Sequence, residues 1–215
     1  MAFLHFVSLN SKWVAEIQAQ FGTIPVKVSC EDIRDIPSQN TVFVSPANCL
    51  GYMDGGIDLV YSEDMFPGIE RTVQEKIRSL NIVTFLERAY LPIGSAVLVP
   101  WFDSALLTAP TMFLPQDVHT TKYAYHSFLA ALLLFDKYRA KHPAVHTLVA
   151  TSHCCGFGNM SEAESAKQMK QAYDDFLEGT YPDDASADET VVLMPSVSGI
   201  EHGDPSQSKD ISLQL

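Results

Sequence analysis

The stretch Thr41-Val42-Phe43-Val44-Ser45-Pro46-Ala47-Asn48-Cys49-Leu50-Gly51-Tyr52-Met53-Asp54-Gly55-Gly56-Ile57-Asp58 decides how this chain is read. Its opening run is β-branched and aromatic, the signature of a buried strand over 41–45. A loop follows, then Gly55-Gly56, then an acid at the start of a helix. The two glycines let a ligand approach the backbone closely, or adopt positive φ, without a Cβ clash. A loop entering a helix also points free N–H groups outward, which suits a phosphate without any lysine or arginine. Asn48 and Asp58 then supply short polar side chains near that anion. A lone Gly-Gly is most often a plain turn, and an acid at a helix start is most often a cap or a solvated group. The ordered combination of Asn after a strand, Gly-Gly, and acid is more specific than its parts.

Outward from this stretch, strand-like and helix-like runs alternate. Extended runs are expected at 4–9, 25–29, 41–45, 95–100, 105–109 and 146–151, and helices at 11–21, 69–80, 121–141 and 161–177. A serine cap is expected at Ser11, and Ser161 with Glu164 forms a capping-box pattern. Alternation of this kind predicts an α/β fold: a three-layer α-β-α sandwich around a mixed, largely parallel sheet of six or seven strands. Ligands in such sheets sit at the carboxyl ends of the strands. The loops to inspect are therefore those after Ser45, Pro100, Ala109 and Thr151.

The last of these reads Ser152-His153-Cys154-Cys155-Gly156-Phe157-Gly158-Asn159-Met160 and again joins a strand to a helix. Gly156 and Gly158 repeat the logic of a backbone cradle, and Phe157 offers an apolar plate for a ribose or base. The His-Cys-Cys run invites a zinc or thiol reading. Adjacent residues rarely converge on one tetrahedral ion, however, and loop cysteines are more often packing groups, so no metal and no cofactor is expected.

The 215 residues suit one main domain, taken as 1–180, with an acidic extension over 181–215 that holds a candidate strand at 191–194. The formal net charge is -12, and the extension carries seven acids against Lys209. That balance argues against a general nucleic-acid or anionic-membrane partner. No apolar run approaches the roughly 20 residues of a membrane span, and no signal peptide is evident. Cys30, Cys49, Cys154 and Cys155 lack a disulfide-framework spacing, which points to reduced thiols in the cytoplasm, with the nucleus as the alternative setting. Trp13, Trp101, Tyr123 and Tyr125 read as packing groups, His119, His126, His142 and His146 receive no catalytic role, and Phe113 with Leu114 is a candidate cleft wall.

The two loops, in this order, resemble the macro domain family over about residues 26–177. The family's Asn-Ala-Ala-Asn strand end, glycine run, Val or Ile, and Asp correspond to Ser45-Pro46-Ala47-Asn48 and Gly55-Gly56-Ile57-Asp58. Glu31-Asp32-Ile33 stands where family members close the second strand with an acid-Ile pair. The runs 106–112, 156–158 and 166–169 are similar to a divergent branch of the family. The resemblance implies an ADP-ribose site. Asp32 would accept from the adenine amino group and the Ile33 backbone would help place the base. Gly55, Gly56 and Ile57 would offer N–H groups to one phosphate, and Cys155, Gly156, Phe157 and Gly158 would close over the diphosphate. Asn48 would bond the distal ribose, and Asp58 would orient or activate a water there.

Ser45, Pro46 and the His-Cys-Cys run depart from the usual family residues. Three functions follow from the resemblance: a hydrolase acting on an ADP-ribosyl ester of a protein or on ADP-ribose 1''-phosphate, a non-catalytic ADP-ribose reader, or a macro fold that binds another nucleotide. The expected partner is ADP-ribose or an ADP-ribosylated substrate. The oligomeric state and the role of the acidic extension are not legible.

Overall fold

The computed structural model describes residues 3–83, 87–180 and 190–193. Among the described residues seven strands form one sheet: β1 (Phe3–Val7), β2 (Lys27–Ser29), β3 (Thr41–Ser45), β4 (Ser95–Trp101), β5 (Ser104–Thr108), β6 (Thr147–Ala150) and β7 (Val191–Leu193). Their order across the sheet is β2-β1-β6-β3-β5-β4-β7. The five strands from β2 to β5 run parallel, whereas β4 is antiparallel to both β5 and β7. The helices are α1 (Ser11–Phe21), the four-residue α2 (Gly56–Leu59) running into a π-helical turn over Val60–Met65, α3 (Ile69–Ser79), α4 (Tyr123–Lys141) and α5 (Glu162–Glu178). The architecture is the expected three-layer α/β sandwich.

The sheet is covered on both faces, which explains why its strands read as nearly continuous apolar runs. Successive side chains alternate between the faces. Val42, Val44, Leu107, Leu148 and Ala150 meet Trp13 and Ile17 of α1, Phe128 and Leu134 of α4, and Ala166 and Met169 of α5. Phe43, Leu106, Val149 and Val97 meet Tyr61, Phe66 and the Ile69, Val73 and Ile77 face of α3. The register Val42↔Ala105 through Ser45↔Thr108 brings the carboxyl ends of β3 and β5 level. Those of β1 and β6 lie on the same edge through Phe6↔Ala150.

Element boundaries depart from expectation for local reasons. Asn10, not Ser11, caps α1, accepting from the Lys12 and Trp13 amides at 3.1 and 3.2 Å. Its side-chain Nδ2 donates to Glu162 Oε1 at 3.1 Å, tying the starts of α1 and α5 together. Helix α4 begins two residues late because Thr121 Oγ1 accepts from the Tyr123 amide at 3.3 Å. Ser161 caps α5 through the Glu164 amide at 3.2 Å, while the Glu164 carboxylate accepts from Gln168 Nε2 rather than completing the box.

The search for a ligand loop after Pro100 is corrected by the topology. Trp101 pairs with Ser104, so only Phe102 and Asp103 join β4 to β5, and so short a link makes an antiparallel hairpin. The end of β4 therefore points to the opposite edge from Ser45 and Thr108. Of the acidic extension, Val191–Leu193 forms β7 against β4; residues 181–189 and 194–215 lie outside the described residues. No helix among the described residues is long and apolar enough to cross a membrane.

Candidate functional site

At the carboxyl edge of the sheet the chain leaves β3 and β5 without parting them. Ala109 N donates to Ser45 O at 3.0 Å, Thr111 N to Ala47 O at 2.9 Å and Cys49 N to Met112 O at 2.8 Å. Thr111 Oγ1 donates to the Pro46 carbonyl at 2.9 Å. The loop is then tied by Asn48, whose Oδ1 accepts from the Leu50 and Tyr52 amides at 3.1 and 3.2 Å and whose Nδ2 donates to Tyr52 O at 2.7 Å. Asn48 is thus first an organiser of the loop, with one amide hydrogen to spare for the cleft it lines. Gly56 has φ +58°, a left-handed conformation that favours glycine, whereas Gly55 is extended at φ -159° and lies beneath the ring of Phe157.

Asp58 stands in the first turn of α2, half-buried at the cleft floor, and its Oδ1 accepts from Ser45 Oγ at 2.6 Å. Burial pushes its carboxyl up to about 7; the Ser45 hydroxyl opposes the shift and the Asp54 charge adds to it. A carboxylate that titrates near neutrality can accept a proton from water, provided the water lies within hydrogen-bond reach.

The second loop closes the opposite wall. Cys154, at φ +65°, lines the cleft together with Ser152, Gly156 and Phe157, and Phe157 is 67% exposed at its rim. Gly158 instead packs inward: a Cβ there would stand 2.5 Å from the Cys154 carbonyl oxygen and 2.8 Å from Val118 Cγ2. Cys155 turns from the cleft too, its Sγ donating to His153 O at 3.5 Å and its side chain packing on the α1/α4/α5 face. Among the described residues the loop's share of the cleft wall is Ser152, Cys154, Gly156 and Phe157, whereas the Cys155 side chain and Gly158 pack inward and hold the loop in shape. Burial raises both thiols, Cys155 to about 11, so neither is a thiolate nucleophile near neutral pH. His153 is buried against Phe128, with both ring nitrogens unpartnered among the described residues, and burial lowers it to about 3.

The cleft has two joined compartments. One, of about 200 Å³, is bounded by Asn48, Tyr52, Asp54, Asp58, Met112, Pro115 and the second loop. The other, of about 280 Å³, is bounded by Leu9, Asn10, Glu31, Asp32, Ile33 and Arg34. Gly56, Ile57, Thr151 and Ser152 border both. Asp32 caps the short turn Ile33–Asp35 and is clasped by Arg34, with Nη2···Oδ2 at 2.6 Å and Nε···Oδ1 at 3.0 Å. That guanidinium holds the Asp32 carboxyl down at about 2 and also reaches Asp64 Oδ2 at 2.9 Å.

No family model and no curated protein matches the chain by sequence. Solved structures do match. The macrodomain of Mycobacterium tuberculosis DarG is 13% identical with a TM-score of 0.52, covering 68% of this chain and 88% of that one. The Oceanobacillus iheyensis macrodomain with ADP is 20% identical with a TM-score of 0.54, covering 69% and 74%. A glycine-to-valine mutant of the same protein with ADPR is 18% identical with a TM-score of 0.54, covering 69% and 75%. The chain has the macrodomain fold.

Within this fold, Asp32 and Ile33 border one compartment, Asn48, Gly55 and Asp58 the other, and Gly56 and Ile57 the passage between them. Phe113 and Leu114 do not line the cleft; Phe113 packs on Tyr90, and Met112 and Pro115 take the wall. Sequence reasoning missed Ser45 as the partner of Asp58, Arg34 as the partner of Asp32, and Tyr52, Asp54 and Thr111 at the cleft. Asp54 was visible beside the glycine pair, whereas Ser45 read only as a departure from the family pattern.

Proposed function

We propose that this macrodomain binds ADP-ribose along the two-compartment cleft and hydrolyses an ADP-ribosyl derivative at its Asp58 end. The observation that carries this reading is a carboxyl with its pKa near 7, held by a 2.6 Å bond from Ser45, at the floor of a cleft on a macrodomain fold. Solved macrodomains of the same fold hold ADPR or ADP. We assign the adenine to the compartment at Asp32 and Ile33. The diphosphate lies between the amides of Gly55, Gly56 and Ile57 and the loop of Cys154, Gly156 and Phe157. Backbone N–H groups suffice for that anion, and among the described residues no lysine or arginine lines the passage. The distal ribose meets Asn48 and Asp58.

In the hydrolytic step, a water forms a bond to the anomeric carbon of the distal ribose and gives its proton to ionised Asp58. The bond from that carbon to the acceptor oxygen breaks, and the acceptor leaves with the electron pair. An ester-linked carboxylate leaves without further protonation. Asp58 must be ionised to act, so the rate rises with pH through about 7.

One observation favours the non-catalytic reading: Asn48 spends most of its hydrogen-bonding capacity on Leu50 and Tyr52, leaving one N–H to orient the ribose. Calorimetric titration with ADP-ribose, beside the inosine analogue that lacks the adenine amino group, tests the binding. Micromolar affinity with a preference of about tenfold for the amino compound is expected, the size of one hydrogen bond to a charged group. Product release from an ADP-ribosylated protein that is abolished in Asp58→Asn separates the enzyme from the reader. Absence of binding at millimolar ADP-ribose would refute the assignment.

A further inference from the structure

The end of the cleft away from Asp32 has an unbalanced charge. Among the described residues that line that compartment the charged side chains are Asp54 and Asp58, with no lysine, arginine or histidine. Asp58 spends its acceptor capacity partly on Ser45, whereas Asp54 is exposed and forms no hydrogen bond or ion pair with the described residues. Arg34, the cation of the neighbouring compartment, is already shared between Asp32 and Asp64. The remaining walls at this end are apolar or neutral, with Met112, Pro115 and an aromatic ring at Tyr52, which is 41% exposed at the mouth.

We propose that Asp54 is a specificity-determining residue that restricts this site to ADP-ribosyl compounds whose group on the distal ribose carries no negative charge, which excludes ADP-ribose 1''-phosphate. The inference rests on the ADP-ribose reading of the cleft and refines its substrate class. The two phosphates of the nucleotide have backbone amides to receive them. A third phosphate beyond the distal ribose would meet Asp54 and Asp58 with no counter-charge. Like charges brought together without a counter-charge repel, and the partial burial of Asp58 strengthens that repulsion above its value in open water. An ester-linked side chain is neutral and escapes this penalty. A guanidinium acceptor gains from the free carboxylate and from the face of Tyr52.

The test is a comparison of three ligands by calorimetry at pH 8 and low salt: ADP-ribose, ADP-ribose 1''-phosphate and ADP-ribosyl-agmatine. The phosphate should bind at least about tenfold more weakly than ADP-ribose, as repulsion between like charges at this range implies. The agmatine compound should bind at least as tightly as ADP-ribose. In Asp54→Asn and Asp54→Lys the ratio of phosphate to ADP-ribose affinity should rise stepwise, and added salt should narrow the gap in the parent. Equal or tighter binding of the phosphate by the parent overturns the proposal and leaves ADP-ribose binding intact. An affinity ratio unchanged in both variants also overturns it. Failure of ADP-ribose itself to bind overturns this proposal together with the reading beneath it.

Discussion

Replacing Asp58 by Asn should stabilise the folded protein above neutral pH while removing the activity proposed for it. The folded carboxyl titrates at about 7 against an ordinary value of 3.8, with burial as the main cause. A raised carboxyl pKa means that the folded state holds its proton more tightly than the unfolded chain does. The group is therefore harmless below about pH 4, where both states are protonated. Between there and about pH 7 the unfolded chain ionises first, and stability falls by roughly 1.4 kcal/mol per pH unit. The full cost is roughly 4 kcal/mol; the cleft is open to water, which screens the charge, so about 2–4 kcal/mol is expected. Asn keeps an oxygen to accept from Ser45 and carries no charge. Urea unfolding of parent and Asp58→Asn at half-unit steps from pH 4.5 to 8.5 reads the difference directly. The variant's advantage should be small at pH 4.5, grow steadily and level off above pH 7. For a chain of this size, the thermal midpoint at pH 8 should rise by roughly 5–15 °C. A stability difference that stays constant across this range would refute the burial argument and with it the general-base role. A gain of stability with loss of the proposed activity would follow the general trade between stability and function.

Four further substitutions probe the surroundings. Ser45→Ala removes the donor that holds Asp58 down, so the carboxyl should titrate higher, by roughly one pH unit for a hydrogen bond to a charged group; carbon NMR titration of the Asp58 carboxyl, assigned with Asp58→Asn, reads the shift, and an unchanged midpoint would count against the bond. Gly158→Ala forces a Cβ to within 2.5 Å of the Cys154 carbonyl and should cost at least about 2 kcal/mol in urea unfolding. Gly156→Ala meets nothing within 4 Å and should change stability by less than about 0.5 kcal/mol. Burial lowers His153 to about 3, so its contribution is present above about pH 6.5 and is lost as pH falls toward 3. A His153→Leu variant should accordingly show a flatter loss of stability between pH 6.5 and 4, and an unchanged acid limb would show that His153 does not drive it.

Much of the architecture follows from local pattern alone. Runs such as Thr41–Ser45 and the Val73/Ile77 spacing of α3 encode strand and helix because their periods are set by backbone geometry. Gly-Gly-Ile-Asp after a buried strand marked the cleft because a strand-to-helix loop exposes N–H groups wherever it occurs. Direction in the sheet was not encoded locally. The reversal of β4 follows from a two-residue link at Phe102-Asp103 that looked like any turn, and it moved one candidate loop to the far edge. Which glycines line the cleft also needed the tertiary structure. Gly156 and Gly158 are equivalent in sequence, yet only the second lies against Cys154 and Val118, contacts made across the loop. The same holds for charge. Asp32, Asp54 and Asp58 are three identical carboxyls in one dimension. Arg34 drives the first to about 2, burial carries the third to about 7, and Asp54 stays without a partner among the described residues. Composition and periodicity depend on near neighbours in the chain, so the sequence by itself determined the elements and the loops that border the cleft. Proton affinity and steric fit depend on neighbours in space, and only the folded chain assembles those.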